Sequence, residues 1–153
     1  MNTHDNRRAL QIAIAVAGIV PVSAGLAGVL MGPALAGLGS HGEAASSAVS
    51  LDSHFRYLSG LLLAIGLIFW SSIPTIERRG MLVRALTLIV VIGGLGRALS
   101  LVELGPPGSD GMRLALIMEL VVTPLICLWQ RQVELQAQGH EQPLHDLLHP
   151  GLS

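Results

Sequence analysis

Four nearly unbroken apolar runs, Ala9 to Met31, Phe55 to Ile73, Met81 to Val102 and Met112 to Gln130, take up most of this 153-residue chain. At about 1.5 Å of rise per residue, each reaches about 28 to 34 Å as a helix, the thickness of a bilayer's hydrocarbon core. Charged residues make up only 12% of the chain, about half the usual share of roughly 25% in soluble proteins. There is too little polar surface to cover a water-soluble fold. The expected architecture is all-α, a four-helix antiparallel transmembrane bundle over residues 1–130 followed by a polar C-terminal tail over 131–153.

The links carry residues that end helices. Gly37 to Ser50 is rich in Gly, Ser and Ala and includes His41 and Glu43, Pro74 to Gly80 is short and carries Arg78 and Arg79, and Gly105 to Gly111 reads Gly-Pro-Pro-Gly-Ser-Asp-Gly. Short links imply antiparallel neighbours. Pro143, Pro150 and Gly151 argue against a long regular element in the tail. Arg7, Arg8, Arg78, Arg79, Arg84 and Arg131 all fall on one side of the four spans, and positive flanks stay cytoplasmic, so both termini are expected there. Trp70 and Trp129 sit at the cytoplasmic ends of their spans and Tyr57 at an outer end, where aromatic rings prefer the headgroup level. The first run is too long for the core of a cleaved signal peptide, despite Ala34-Leu35-Ala36, and is read as a retained span.

No lysine accompanies the nine arginines and the net charge is -1, which excludes the basic face of a nucleic-acid binder. The single cysteine, Cys127, excludes a disulfide framework and any multi-thiolate metal site, and it reads as a small packed apolar group. His140, His145 and His149 stand near Pro143 and Pro150, which interrupt a helix that would align them, and read as solvated tail residues, so no metal site and no cofactor is assigned. No nucleophile elbow, phosphate loop, dinucleotide fingerprint or zinc-protease motif occurs.

Small residues in span one recur at Gly18, Pro21, Gly25, Gly28 and Gly32 on one helix face, and span three carries Gly93, Gly94 and Gly96. In lipid such stripes let backbones approach closely. Packing within the bundle is the leading reading, and a helix–helix partner through Gly18, Gly25, Gly28 and Gly32 is the alternative. Pro21 and Pro124 are expected to kink their helices or free a carbonyl, with Thr123 placed to help satisfy the second.

Ionisable residues inside apolar runs are the candidates for chemistry, because a lone charge at the bilayer centre costs about 2.5–3.5 kcal/mol and therefore turns inward and pairs. Arg97 lies roughly 8 Å below the outer end of span three and Glu119 roughly 10 Å from the same side, with Arg56 near the outer end of span two. Helical spacing puts Arg97 with Gly93, Gly96 and Ser100, Arg56 with Asp52, Gly60 and Leu63, and Glu119 with Ala115, Thr123 and Ile126. Arg97 with Glu119 is the expected pair, and Arg56 a third member. His54 falls on the opposite face from Arg56 and is read as an interfacial residue.

The runs Asp52-Ser53-His54-Phe55-Arg56-Tyr57-Leu58-Ser59-Gly60 and Gly96-Arg97-Ala98-Leu99-Ser100, together with Glu119, resemble a bacterial four-helix inner-membrane family. It is catalogued as a domain of unknown function and is loosely DoxX-like in outline. The resemblance covers about residues 9 to 130. It implies a multi-pass domain in the bacterial inner membrane and marks Arg56, Gly96, Arg97, Ser100 and Glu119 as family positions; it transfers no activity. Three readings of function follow in order. The first is a non-enzymatic membrane module or complex subunit with a structural Arg56, Arg97 and Glu119 cluster. The second is a binder of a small amphipathic ligand, a lipid or quinone, at Arg56, Arg97, Ser100, Glu119, Asp52 and Tyr57. The third is a membrane enzyme using Glu119 as acid or base.

Overall fold

The computed structural model describes residues 3–36, 45–105 and 110–148. His41, Glu43, residues 106–109 and His149 lie outside them, as do the side chains of His140 and His145. The described chain is helical throughout: α1 Thr3–Met31 with a 3-10 turn Gly32–Ala36, α2 Ala45–Ser72, a 3-10 turn Ile73–Arg78, α3 Gly80–Leu104, α4 Asp110–Ile117, a π-helical turn Met118–Val122, and α5 Thr123–Leu148. Four stretches are long and apolar enough to cross a membrane: Asp5–Ala36, Ser46–Arg78, Gly80–Leu104 and Asp110–Gly139. No strand occurs among the described residues.

The chain divides into two compact units, Ala15–Ser71 and Met1–Ile14 with Ser72–Ser153. In the first, α1 and α2 run antiparallel, and the glycine stripe is the seam. A Cβ on Gly25 would stand 2.6 Å from the Leu63 backbone nitrogen; Gly18 lies under the Trp70 indole, Gly28 against Ser59, and Gly32 against Asp52 and Arg56. Gly66 of α2 reciprocates against Val22 and Pro21. The stripe therefore packs on α2 of the same chain, as small residues do where lipid offers no hydrophobic drive and close approach supplies the dispersion energy. Despite Pro21, α1 runs unbroken.

In the second unit, α3 packs antiparallel to the fourth stretch, with Gly80 against Glu134 at one end and Gly94 against Glu119 and Leu120 towards the other. Its core comprises Leu10, Ile14, Ile76, Val83, Leu86 and Val133. The outward surface is apolar: Leu88, Ile92, Leu95 and Leu99, spaced four, three and four along α3, are all more than half exposed. Such a stripe is tolerable against acyl chains and not in water. A glycine ends α3, Gly105 at φ 89° donating its N–H to Leu101 O at 3.0 Å, the left-handed stop that a side chain disfavours.

One expectation is corrected. The fourth stretch does not stop at Gln130: α5 continues through Pro143 to Leu148, because residues 131–142 are mostly good helix formers and Val133 is buried. The tryptophans, besides, have partners within the protein. Trp70 Nε1 donates to Ala15 O at 3.1 Å and Trp129 Nε1 to Asn6 Oδ1 at 2.7 Å, because each ring is half-buried against α1 with its polar edge in reach of a partner.

Candidate functional site

Arg97 and Glu119 meet as expected. Arg97 Nε donates to Glu119 Oε2 at 3.0 Å and Nη2 to Oε1 at 3.1 Å, the two-pronged geometry a planar guanidinium allows and lysine does not. The arginine side chain is 38% exposed and the glutamate 16%. Both carboxylate oxygens are engaged, while Nη1 stays outside the fork.

Local sequence builds this pair. Gly94, one turn before Arg97, has no side chain to hold the fourth stretch off: a Cβ there would stand 2.9 Å from Glu119 Cβ. Glu119 sits inside the π turn Met118–Val122. Pro124 has no N–H for the carbonyl four residues back, and its ring crowds that carbonyl, so the preceding turn opens by one residue. The widened turn is closed on Met118 O, which accepts both the Thr123 N–H and, at 2.8 Å, the Thr123 hydroxyl. Thr123 thus stabilises the wide turn itself, not the carbonyl that Pro124 leaves free. An α-helical turn would place residues ahead of it about 100° further round the axis, carrying Glu119 away from Arg97. Pro124→Ala is accordingly expected to reduce the Arg97–Glu119 coupling energy, measured by a double-mutant cycle, from roughly 2 kcal/mol to below about 0.5. In that background the exchange Glu119→Leu with Leu120→Glu should recover it.

Arg56 is held by partners within its own unit, Ala15–Ser71. Its Nε donates to Asp52 Oδ2 at 2.8 Å, and its Nη1 donates to Val29 O and, at 3.2 Å, to Leu30 O. These carbonyls belong to the last turn of α1, where orphan acceptors need a partner. Gly32, at φ 63°, ends the α-helix where a Cβ would run into Asp52 and Arg56. Arg56 with Asp52 is a cap for α1, supplied by α2. Ser100 and Tyr57 are exposed, and so are Gly93 and Gly96, so of the α3 face expected to turn inward only Arg97 is part-buried, and the buried glycine is Gly94, outside that face. His54 Nδ1 bonds Ser50 O at 2.9 Å on an exposed surface. Among the described residues no three of His, Cys, Asp and Glu gather in a metal-binding group.

The structure adds a polar clamp that sequence reasoning missed. Three carbonyls of the link between α2 and α3 accept long-range side-chain donors: Ile73 O from Gln11 Nε2 at 2.9 Å, Pro74 O from Arg7 Nη2 at 2.9 Å, and Ile76 O from the fully buried Gln130 Nε2 at 3.0 Å. Asn6 Nδ2 donates to Gln136 Oε1 at 3.0 Å, Arg7 pairs with Glu77 at 3.2 Å, and Arg84 with Glu134 at 3.6 Å. A 3-10 link cannot satisfy its own backbone fully, and side chains from both ends of the chain finish the accounting.

No curated protein and no solved structure matches this chain. Residues 9–130 match the family described as "Domain of unknown function (DUF4345)", and the chain belongs to that family.

Proposed function

We propose that this chain is a non-enzymatic, multi-pass membrane module in which the Arg97–Glu119 pair ties α3 to the fourth stretch, with both termini on the cytoplasmic side of a bacterial inner membrane. The observation that carries the reading is the engagement of both Glu119 oxygens by one guanidinium. A guanidinium held on both oxygens favours the ionised carboxylate and fixes its orientation, which suits a tie between helices better than a group that must take up and release a proton. The arginines gathered about the link between α2 and α3 support the orientation.

A second reading, a site for a small amphipathic ligand such as a lipid or quinone, draws on Arg97 Nη1, which lies outside the fork on a side chain 38% exposed. The double replacement Arg97→Met with Glu119→Leu separates the two. For a structural tie, an apolar pair of similar volume keeps yield and helix content near wild type, and native mass spectrometry in detergent finds each protein at its own chain mass with no small molecule retained. A small molecule retained by the wild type and lost from a folded double variant overturns the first reading in favour of the second.

A further inference from the structure

We propose that the arginine-rich end of the unit formed by Met1–Ile14 and Ser72–Ser153 is a binding surface for anionic phospholipid headgroups; this rests on the membrane reading above. Six arginines separated by up to 124 positions lie on this turn, contact it, or sit close in sequence to residues that do. Arg7 reaches Pro74 O and Glu77, Arg8 is its neighbour, Arg78 and Arg79 end the turn, Arg84 pairs with Glu134, and Arg131 follows Gln130, whose amide bonds Ile76 O. Two of the six are neutralised: Arg7 by Glu77 and Arg84 by Glu134. Among the residues whose side chains are described, Arg8, Arg78, Arg79 and Arg131 are exposed and make no ion pair, and Asp5 is the exposed carboxylate nearest to them in sequence.

The surroundings distinguish a lipid from a soluble anion. Each unpaired position has a strongly exposed apolar side chain close by in sequence: Ile12 one turn after Arg8, Met81 just after Arg78 and Arg79, and Leu128 one turn before Arg131. A guanidinium above and an open apolar surface beside it match the two halves of a phospholipid, a phosphate with an acyl chain beneath it. Guanidinium takes phosphate oxygens in a two-pronged grip, and each arginine near an anionic membrane surface strengthens attraction by about fivefold.

The test is native mass spectrometry of the detergent-purified chain titrated with phosphatidylglycerol or phosphatidylcholine, beside the variant Arg8→Gln, Arg78→Gln, Arg79→Gln, Arg131→Gln and the control Arg113→Gln. The wild type and control should retain phosphatidylglycerol over phosphatidylcholine, the fourfold variant should lose at least about tenfold of that preference, and added salt should erode it. Should the fourfold variant fold poorly, the pair Arg78→Gln, Arg79→Gln carries the same expectation at smaller size. Equal retention of the two lipids by the wild type, an unchanged preference in the variants, or equal competition by inorganic phosphate overturns the proposal. The membrane reading fails separately, if the chain stays monodisperse without surfactant.

Discussion

Replacing Arg97 with methionine is expected to destabilise the folded chain by about 3 kcal/mol, because it leaves a mostly buried carboxylate with neither of its donors. Glu119→Gln costs less, about 1 kcal/mol, since the amide oxygen still accepts from the guanidinium. The double apolar variant restores most of the loss, since removing both partners removes the demand for pairing as well as the pair. A double-mutant cycle on unfolding in mixed micelles should therefore give a coupling energy of roughly 2 kcal/mol. Additive single losses would mean that the two side chains do not depend on one another in the folded protein.

The second large effect belongs to the α1–α2 seam. Gly25→Leu would bring a side chain against the Leu63 backbone, 2.6 Å from its nitrogen and 2.8 Å from its Cα, and backbone cannot swing aside as a side chain can. The helices must part, with an expected loss of about 3 kcal/mol or more. Gly93 and Gly96 provide the contrast. A Cβ on either meets nothing within 4 Å, so alanine there should be neutral or stabilise by about 0.5 to 1 kcal/mol through helix propensity. Thermal unfolding of the three variants in one detergent tests the seam, and equal responses would contradict it.

That contrast also marks what can be read from sequence. Apolar length alone exposes the four stretches long enough to cross a membrane. Gly18, Gly25, Gly28 and Gly32 announce their shared face through spacing, and Arg97 and Glu119 announce each other by matching depth. Gly93, Gly94 and Gly96 look alike in sequence, yet of the three only Gly94 meets the facing helix; three glycines within four positions do not reveal which of them points at a neighbour. Arg56 was illegible for a different reason: its partners are partly backbone carbonyls, which every residue carries and no pattern advertises. The same holds for Gln11 and Gln130 on the α2–α3 link. The wide turn at Glu119 depends on how a proline's missing N–H is accommodated, and a π turn is one of several outcomes open to it.

The central claim, a chain that crosses the bilayer four times with its ends together, is tested most directly by cysteine accessibility in a Cys127→Ala background. Single cysteines at Asp5, Thr75 and Gln138 should react with a membrane-impermeant maleimide only from the cytoplasmic face. Cysteines at Ser47 and Glu103 should react only from the opposite face, and one at Leu88 from neither. Labelling of all six positions in intact cells, or of Thr75 and Glu103 from the same side, would contradict the account.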